Sequence, residues 1–331
     1  MRLARLKPES ANPAAPSRPA GTYYHLVNRI SGQPGEFPFG DPEKQKPLGM
    51  LLRLCLLFVI QPISCAVMGN HFHLVVFVPA LPPVFAEALR HFRAFYGEKR
   101  VLGGAEVQRL PGKLRDISAF MHMLEFPFTC WFNATRPGGR RRGTLWQGRF
   151  KSVILSPEAT RRCITYVELN AVRAKIATSP SEYRFCSFGI WEATGSHPFG
   201  KAVLDHLRYL LGPEFKEAGA AGLRNHLRGE FARIAAGEAG LDCPETEEAR
   251  RGARVEPALA ERLSRRVRHW SDGLIVGSRI FVMETAAARR DKLAPFRPER
   301  LEVHRLGRLA GTEPAPDTAV FSWRNLQKGV T

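Results

Sequence analysis

Residues 67–79 read VMGNHFHLVVFVP. The run is apolar enough for a buried strand, and prolines at 79, 82 and 83 close it, since proline cannot donate to a sheet ladder. Asn70, His71 and His73 interrupt it. On a strand, side chains two apart share a face. His71 and His73 therefore project together, while Phe72 turns the other way into the core. Two imidazoles on one rigid face suit a shared divalent ion; they equally suit two histidines hydrogen-bonded at a sheet surface. The spacing alone leaves both readings open. The strand is expected over residues 64–78.

Working outward, residues 22–30 (TYYHLVNRI) have the aromatic and β-branched content of a strand. A Gly/Pro-rich loop follows over 31–47, then a buried helix over 48–60. Residues 84–96 place Phe85, Leu89, Phe92 and Tyr96 at helical spacing. A second helix spans 117–133, weakened by Pro127. A basic loop covers 136–143, a strand 145–155 (LWQGRFKSVIL), and a helix 156–174. Ser156 is a good N-cap there, Pro157 suits the first turn, and Glu158 favours the positive helix end. This order predicts an α+β fold, an antiparallel sheet with helices packed on it. Residues 200–270 are helix-like and rich in Arg, Ala and Glu, and an Asp-Gly turn divides residues 269–282. The Pro- and Ala-rich residues 1–20 are expected to be disordered, and the tail past 310 loose.

The 331 residues carry 49 Lys and Arg against 31 Asp and Glu, a formal charge of +18. Such a surface attracts polyanions, nucleic acid above all, although arginines also coat surfaces without a partner. None of the six cysteines is spaced Cys-x-x-Cys, so neither a zinc knuckle nor a redox pair is visible. Several sit in apolar runs as small core residues, and a reducing, cytoplasmic setting is expected. The N-terminal residues lack an apolar core of signal-peptide type, and the run 48–60 is too short to span a bilayer. No membrane partner is expected.

Two further groups carry chemistry. Tyr166 and Asn170 are four apart on one helix face, with Arg173 near it. A phenol beside an amide is an ordinary helix feature; it is also what a tyrosine nucleophile beside a metal-binding amide would look like. The basic arm holds Arg136, Arg140, Arg141, Arg142, Arg149 and Lys151, with Trp146 and Phe150 interleaved. Cations neutralise phosphates, and rings offer stacking faces to unpaired bases. His25 on the first strand is a fourth candidate, with a structural hydrogen-bonded histidine as the equal alternative.

In order, YYHLVNRI, VMGNHFHLVVFVP, LWQGRFKSVIL, YVELNAVRAKI and YRFCSFGIW resemble the REP-associated tyrosine transposases, the transposase-17 group of HUH single-strand nucleases. The resemblance covers residues 21–192, which it delimits as a ferredoxin-like HUH domain ahead of a basic extension, 193–331, of unknown role. It implies that His71 and His73 bind Mg²⁺ or Mn²⁺ with Asn170 as third ligand, and that Tyr166 attacks a phosphodiester to leave a 5′-phosphotyrosine. It further implies that Arg140, Arg141, Arg142, Trp146, Arg149, Lys151 and Arg173 hold single-stranded or hairpin DNA. Dimerisation is known among such enzymes, and nothing here decides it. One departure is Ala171, where the family usually has proline; without proline the helix can continue. Two rivals remain: a domesticated, non-catalytic reader of hairpin DNA or RNA, and a phosphodiesterase that uses water.

Overall fold

Strand β1 (Gly21–Arg29) is the spine of the fold, because it pairs on both edges. In this computed structural model residues 19–32, 36–136, 142–239, 270, 273–288 and 318–322 are described. The expected disorder of the N-terminus therefore falls almost wholly outside the described residues, as do Arg140 and Arg141.

On one side β1 runs antiparallel to β3 (His71–Pro79), which in turn pairs with β2 (Gln61–Val67). The single strand expected over 64–78 is thus a hairpin. Gly69 and Asn70 form its two-residue turn, with the Met68 amide donating to the His71 carbonyl at 2.8 Å. A side chain at Gly69 would meet the Phe37 ring stem at 3.0 Å, so the turn needs the missing Cβ for close approach. On its other side β1 runs antiparallel to β4 (Lys151–Leu155). The strand expected from 145 begins only at 151; residue 146 makes an isolated bridge to Ile30.

The extension adds two strands. β5 (Gly273–Ser278) lies parallel to β4, and β6 (Thr318–Ser322) runs antiparallel to β5, giving the order β2-β3-β1-β4-β5-β6. The α+β class holds, with a mixed sheet in which one pair is parallel. The stretch 318–322, expected to be loose, is a strand because β5 offers it an edge.

Helices cover both faces. Helix α1 (Asp41–Leu57) starts earlier than expected, with Pro42 in its first turn and Asp41 and Glu43 at its positive end. It packs with α2 (Phe85–Tyr96) and α4 (Ile117–Ala134), and α3 (Gly104–Leu114) packs against those two. Asp116 caps α4 by accepting from the amides of Ser118 and Ala119 at 2.7 and 3.1 Å, and the helix continues through Pro127. This layer meets the sheet where Asn28 donates to Glu125 at 2.8 Å and Phe72 meets Trp146 edge-on.

The other face carries α5 (Pro157–Glu168), α6 (Asn170–Arg173), α7 (Ser187–Thr194), α8 (Ala202–Leu211) and α9 (Ala220–Ala239). Ser156 caps α5 by accepting from the Ala159 amide at 3.2 Å. α8 is tied to the sheet through His206, whose ring nitrogens bond the Tyr23 hydroxyl at 2.9 Å and the Gln61 amide oxygen at 2.5 Å. A further helix, α10 (Arg279–Ala287), follows β5 directly, capped by Ser278. No helix among the described residues is long and apolar enough to cross a membrane.

The helix expected over 156–174 is split at Leu169, whose backbone (φ −80°, ψ 3°) leaves the α region. The hitch lies beside Glu168, whose buried carboxylate is held from below, and Leu169 itself is wholly buried. Packing there prevails over helix continuity, even without proline at 171.

The docking of β5 is tight. Ser156 donates its amide to the Val276 carbonyl at 2.9 Å, and a Cβ on Gly277 would stand 2.8 Å from the Ser156 Cβ and 2.5 Å from the Phe281 ring. Gly277→Val should therefore lower stability by ~1–3 kcal/mol through overpacking. Gly49→Ala, in the middle of α1 with nothing within 4 Å of the added carbon, should raise it by ~0.5–1 kcal/mol. Urea unfolding midpoints of the two variants check both signs.

Candidate active site: two histidines, a tyrosine and an asparagine

The β1–β3 register sets the site. Val27 stands opposite His73, and Arg29 opposite His71. Directly opposed residues share a face, as do alternate residues along a strand. His25, Arg29, His71 and His73 therefore all stand on the α5 side of the sheet. The rings of His71 and His73 are 4.9 Å apart and perpendicular.

α5 lays Tyr166 across them. Its ring centroid lies 5.4 Å from His73 and 6.2 Å from His25, edge-on to both. The Trp270 ring runs nearly parallel to it at 6.2 Å, and the Arg173 guanidinium sits 5.2 Å from its centroid. Arg173 also donates to the Tyr166 carbonyl at 3.2 Å. Asn170, one turn on, acts on both groups: its side chain favours the charged form of the Tyr166 phenol and of the His71 ring.

The placement of α5 rests on Glu168. Its carboxylate accepts from the Ser64 hydroxyl at 2.7 Å, from the Ser187 hydroxyl, and from the Phe188 amide at 3.0 Å in the first turn of α7. It ties α5 to β2 and α7 at the turn from which Tyr166 and Asn170 project.

The histidines are held neutral. Burial, with Arg29 close by, lowers His71 to about 4, and the Asn170 side chain offsets a little of this. Burial and the two neighbouring imidazoles push His73 well below the ordinary range. The phenol moves the other way: burial and Cys163 raise Tyr166 to about 12, while Arg173 and Asn170 restrain the rise. In this state the site holds neutral imidazoles and a protonated phenol.

Could these residues hold a divalent ion? His73 Nε2 is buried and, among the described residues, has no hydrogen-bond partner. His71 engages Asn70 Oδ1 through Nδ1 at 2.7 Å, and Asn70 is oriented by its own donation to the Glu36 carbonyl at 2.9 Å. An unmet buried nitrogen, a second imidazole oriented from behind, and an adjacent amide form a donor set that fits Mn²⁺ or a partly hydrated Mg²⁺. Among the described residues, no three His, Cys, Asp or Glu side chains are arranged to hold a metal. Further ligands would have to be water or substrate oxygen.

An open cleft of about 510 Å³ leads to these groups, lined by Val27, Asn28, Arg29, His71, His73, Gln147, Gly148, Arg149, Lys151 and Tyr166. Of the expected nucleic-acid contacts, Arg149 and Lys151 stand on its wall, exposed, and Arg173 flanks the tyrosine. Arg142 is exposed on the preceding loop. Trp146 is not brought to the cleft. It is half-buried on the opposite face, packed against Phe39, Phe72 and Phe128, with its ring nitrogen 3.5 Å from the Glu125 carbonyl. His25 is wholly buried and bonded to His73 rather than facing the cleft. Two participants escaped the sequence reading. Arg29 was findable by counting alternate residues from His25; Trp270 depends on a long-range strand pairing that no local pattern announces.

Comparison with known proteins gives little beyond this. No protein-family model matches the chain, and no curated protein matches it. It is similar to a solved structure of a REP-associated tyrosine transposase bound to a REP hairpin, at 14% identity and a TM-score of 0.35, over 56% of this chain and 87% of that one.

Two outcomes are expected. Glu168→Ala should destabilise the fold by ~3 kcal/mol, since it leaves three buried donors unmet; Glu168→Gln, which keeps an acceptor, should cost less. In the unfolded chain His71, His73 and His206 (lowered to about 4 by burial) bind protons near pH ~6.5, but in the fold only far below it. Between those values the unfolded state holds more protons. Stability is therefore fully present above about 6.5 and is lost as pH falls toward 4, by up to ~1.4 kcal/mol per pH unit for each group. Urea melts taken from neutral to acid pH should show the midpoint falling through that window.

Proposed function

We propose that this protein cuts and rejoins single-stranded or hairpin DNA, with Tyr166 as nucleophile and a divalent ion held by His71, His73 and Asn170. The observation that carries the reading is the placement of the Tyr166 ring edge-on to His73, 5.4 Å between centroids, with His71 4.9 Å beyond, at the head of an open cleft walled by Arg29, Arg149 and Lys151. The reading agrees with what the motif resemblance implies for the same residues.

The chemistry follows from the groups present. Bound at the imidazole pair, Mn²⁺ or Mg²⁺ would polarise the scissile phosphate and offset the charge growing on its oxygens. Arg149 and Lys151, on the exposed wall, neutralise backbone phosphates and set the strand's register. Arg29 adds positive charge beside His71. The Tyr166 oxygen attacks phosphorus, the bond from phosphorus to the 3′ oxygen breaks, and that oxygen takes up a proton to become a 3′-hydroxyl. The phenol gives up its proton in the same exchange. One phosphodiester is traded for another, so attack by a 3′-hydroxyl can restore a strand without an external energy source. The phenol begins protonated, and Arg173 and Asn170 are the groups that favour its anion. An unpaired or hairpin-flanking strand suits the cleft, because a phosphate within a regular duplex is held too stiffly to meet a side chain on a packed helix.

The deciding experiment incubates the full chain with end-labelled hairpin DNA and Mn²⁺. A denaturant-resistant protein–DNA adduct mapped to Tyr166, abolished in Tyr166→Phe with hairpin binding kept, is the expected result. Continued cutting by Tyr166→Phe would indicate water as nucleophile, and binding without any cutting by the wild type would indicate a reader. Arg149→Ala and Lys151→Ala should each reduce the slope of log affinity against log salt by ~0.7 for single-stranded DNA.

A further inference from the structure

The bond pattern behind His73 reaches into the C-terminal extension. His25 Nδ1 lies 2.7 Å from the Trp270 carbonyl oxygen. A carbonyl can only accept, so this nitrogen carries the hydrogen. A neutral imidazole has one N–H, which leaves His25 Nε2 as a bare acceptor. That atom lies 2.9 Å from His73 Nδ1, with the two rings within 13° of parallel. The hydrogen in this contact therefore belongs to His73 Nδ1, and His73 Nε2 is left as a lone pair. This is the buried nitrogen that has no hydrogen-bond partner among the described residues.

We propose that His25 and the Trp270 carbonyl form a relay that sets the tautomer of His73, so that the extension prepares a ligand nitrogen of the site. The proposal rests on the metal reading given above and assigns to His25 the role of a positioning residue. Histidines that bind metals commonly donate their second N–H to a fixed acceptor, which orients the ring and raises its basicity. His71 meets that requirement locally, through Asn70 and the Glu36 carbonyl. His73 meets it through two steps, the second supplied by a residue 197 positions away in the chain. Trp270 also lays its ring alongside Tyr166. One residue of the extension thus touches the nucleophile through its ring and the imidazole pair through its carbonyl.

The test labels histidine with ¹⁵N in the full-length, metal-free chain and reads tautomers from long-range ¹H–¹⁵N correlations. The expected result is Nδ1–H on both His25 and His73; Nε2–H on His73 overturns the relay. Mn²⁺ affinity is then measured for the wild type, His25→Phe and His25→Gln. Phenylalanine keeps the ring but offers no acceptor, and glutamine places an amide oxygen near the position of Nε2. His25→Phe should bind Mn²⁺ roughly 10- to 100-fold more weakly, and His25→Gln should recover most of the loss. A purely structural His25 would give no such recovery, and unchanged affinity in His25→Phe overturns the proposal. Failure of the metal reading looks different: the wild type shows the expected tautomers yet takes up no Mn²⁺, whereas failure of the relay shows a wild type that binds Mn²⁺ with the other tautomer.

Discussion

The antiparallel register between β1 and β3 is the constraint on which the site depends. It opposes Val27 to His73 and Arg29 to His71. A slip by one residue would turn one strand over, sending its polar groups into the aromatic layer under α4. The register is well specified because both faces are buried against different partners. Leu26, Phe72, Leu74 and Val76 belong to one side, and Val75 and Val153 to the other, all nearly inaccessible. The polar cluster is a defect in an apolar sheet that the sheet itself keeps in place.

The same burial explains the electrostatics. Three imidazoles close together would repel one another if charged. Burial disfavours the charged form of His71 and His73, and at His73 both neighbouring imidazoles add to the cost. His71 and His73 are stable as neutral rings, with His73 hydrogen-bonded to His25. Arg29 beside His71 is tolerable for the same reason: next to a neutral ring it faces a dipole rather than a like charge. A polyanion entering the cleft would find positive charge at the walls and uncharged rings at the floor.

Much of this was legible in the chain. The period of two placed His71 and His73 together, and the helical spacing placed Tyr166 with Asn170. What failed to show were features decided by partners distant in sequence. The hairpin at Gly69–Asn70 was hidden because apolar residues continue on both sides of it, so hydropathy gave no punctuation. Trp146 among arginines looked like a stacking platform, but an indole is also the best filler for the gap beside Phe72 and Phe128. α3 went unread because Pro111 and Gly112 interrupt its pattern. The parallel edge formed by β5 could not be read locally, since an apolar six-residue run does not say which strand it will join. The hitch at Leu169 belongs to the same class: it answers to Ser64 and Ser187, far away in sequence.

The insertion of β5 beside β4 carries a temporal consequence. Between the ends of those two strands lie residues 156–272, so their pairing closes a very long loop and ranks among the most non-local contacts of the molecule. Such contacts form late. During synthesis from the N-terminus, the hairpin, β1 and the helix bearing Tyr166 leave the ribosome well before Trp270 does. A nascent chain would thus possess its histidines and its phenol while still lacking the carbonyl that orders them, and would ripen only when its distal part had been translated.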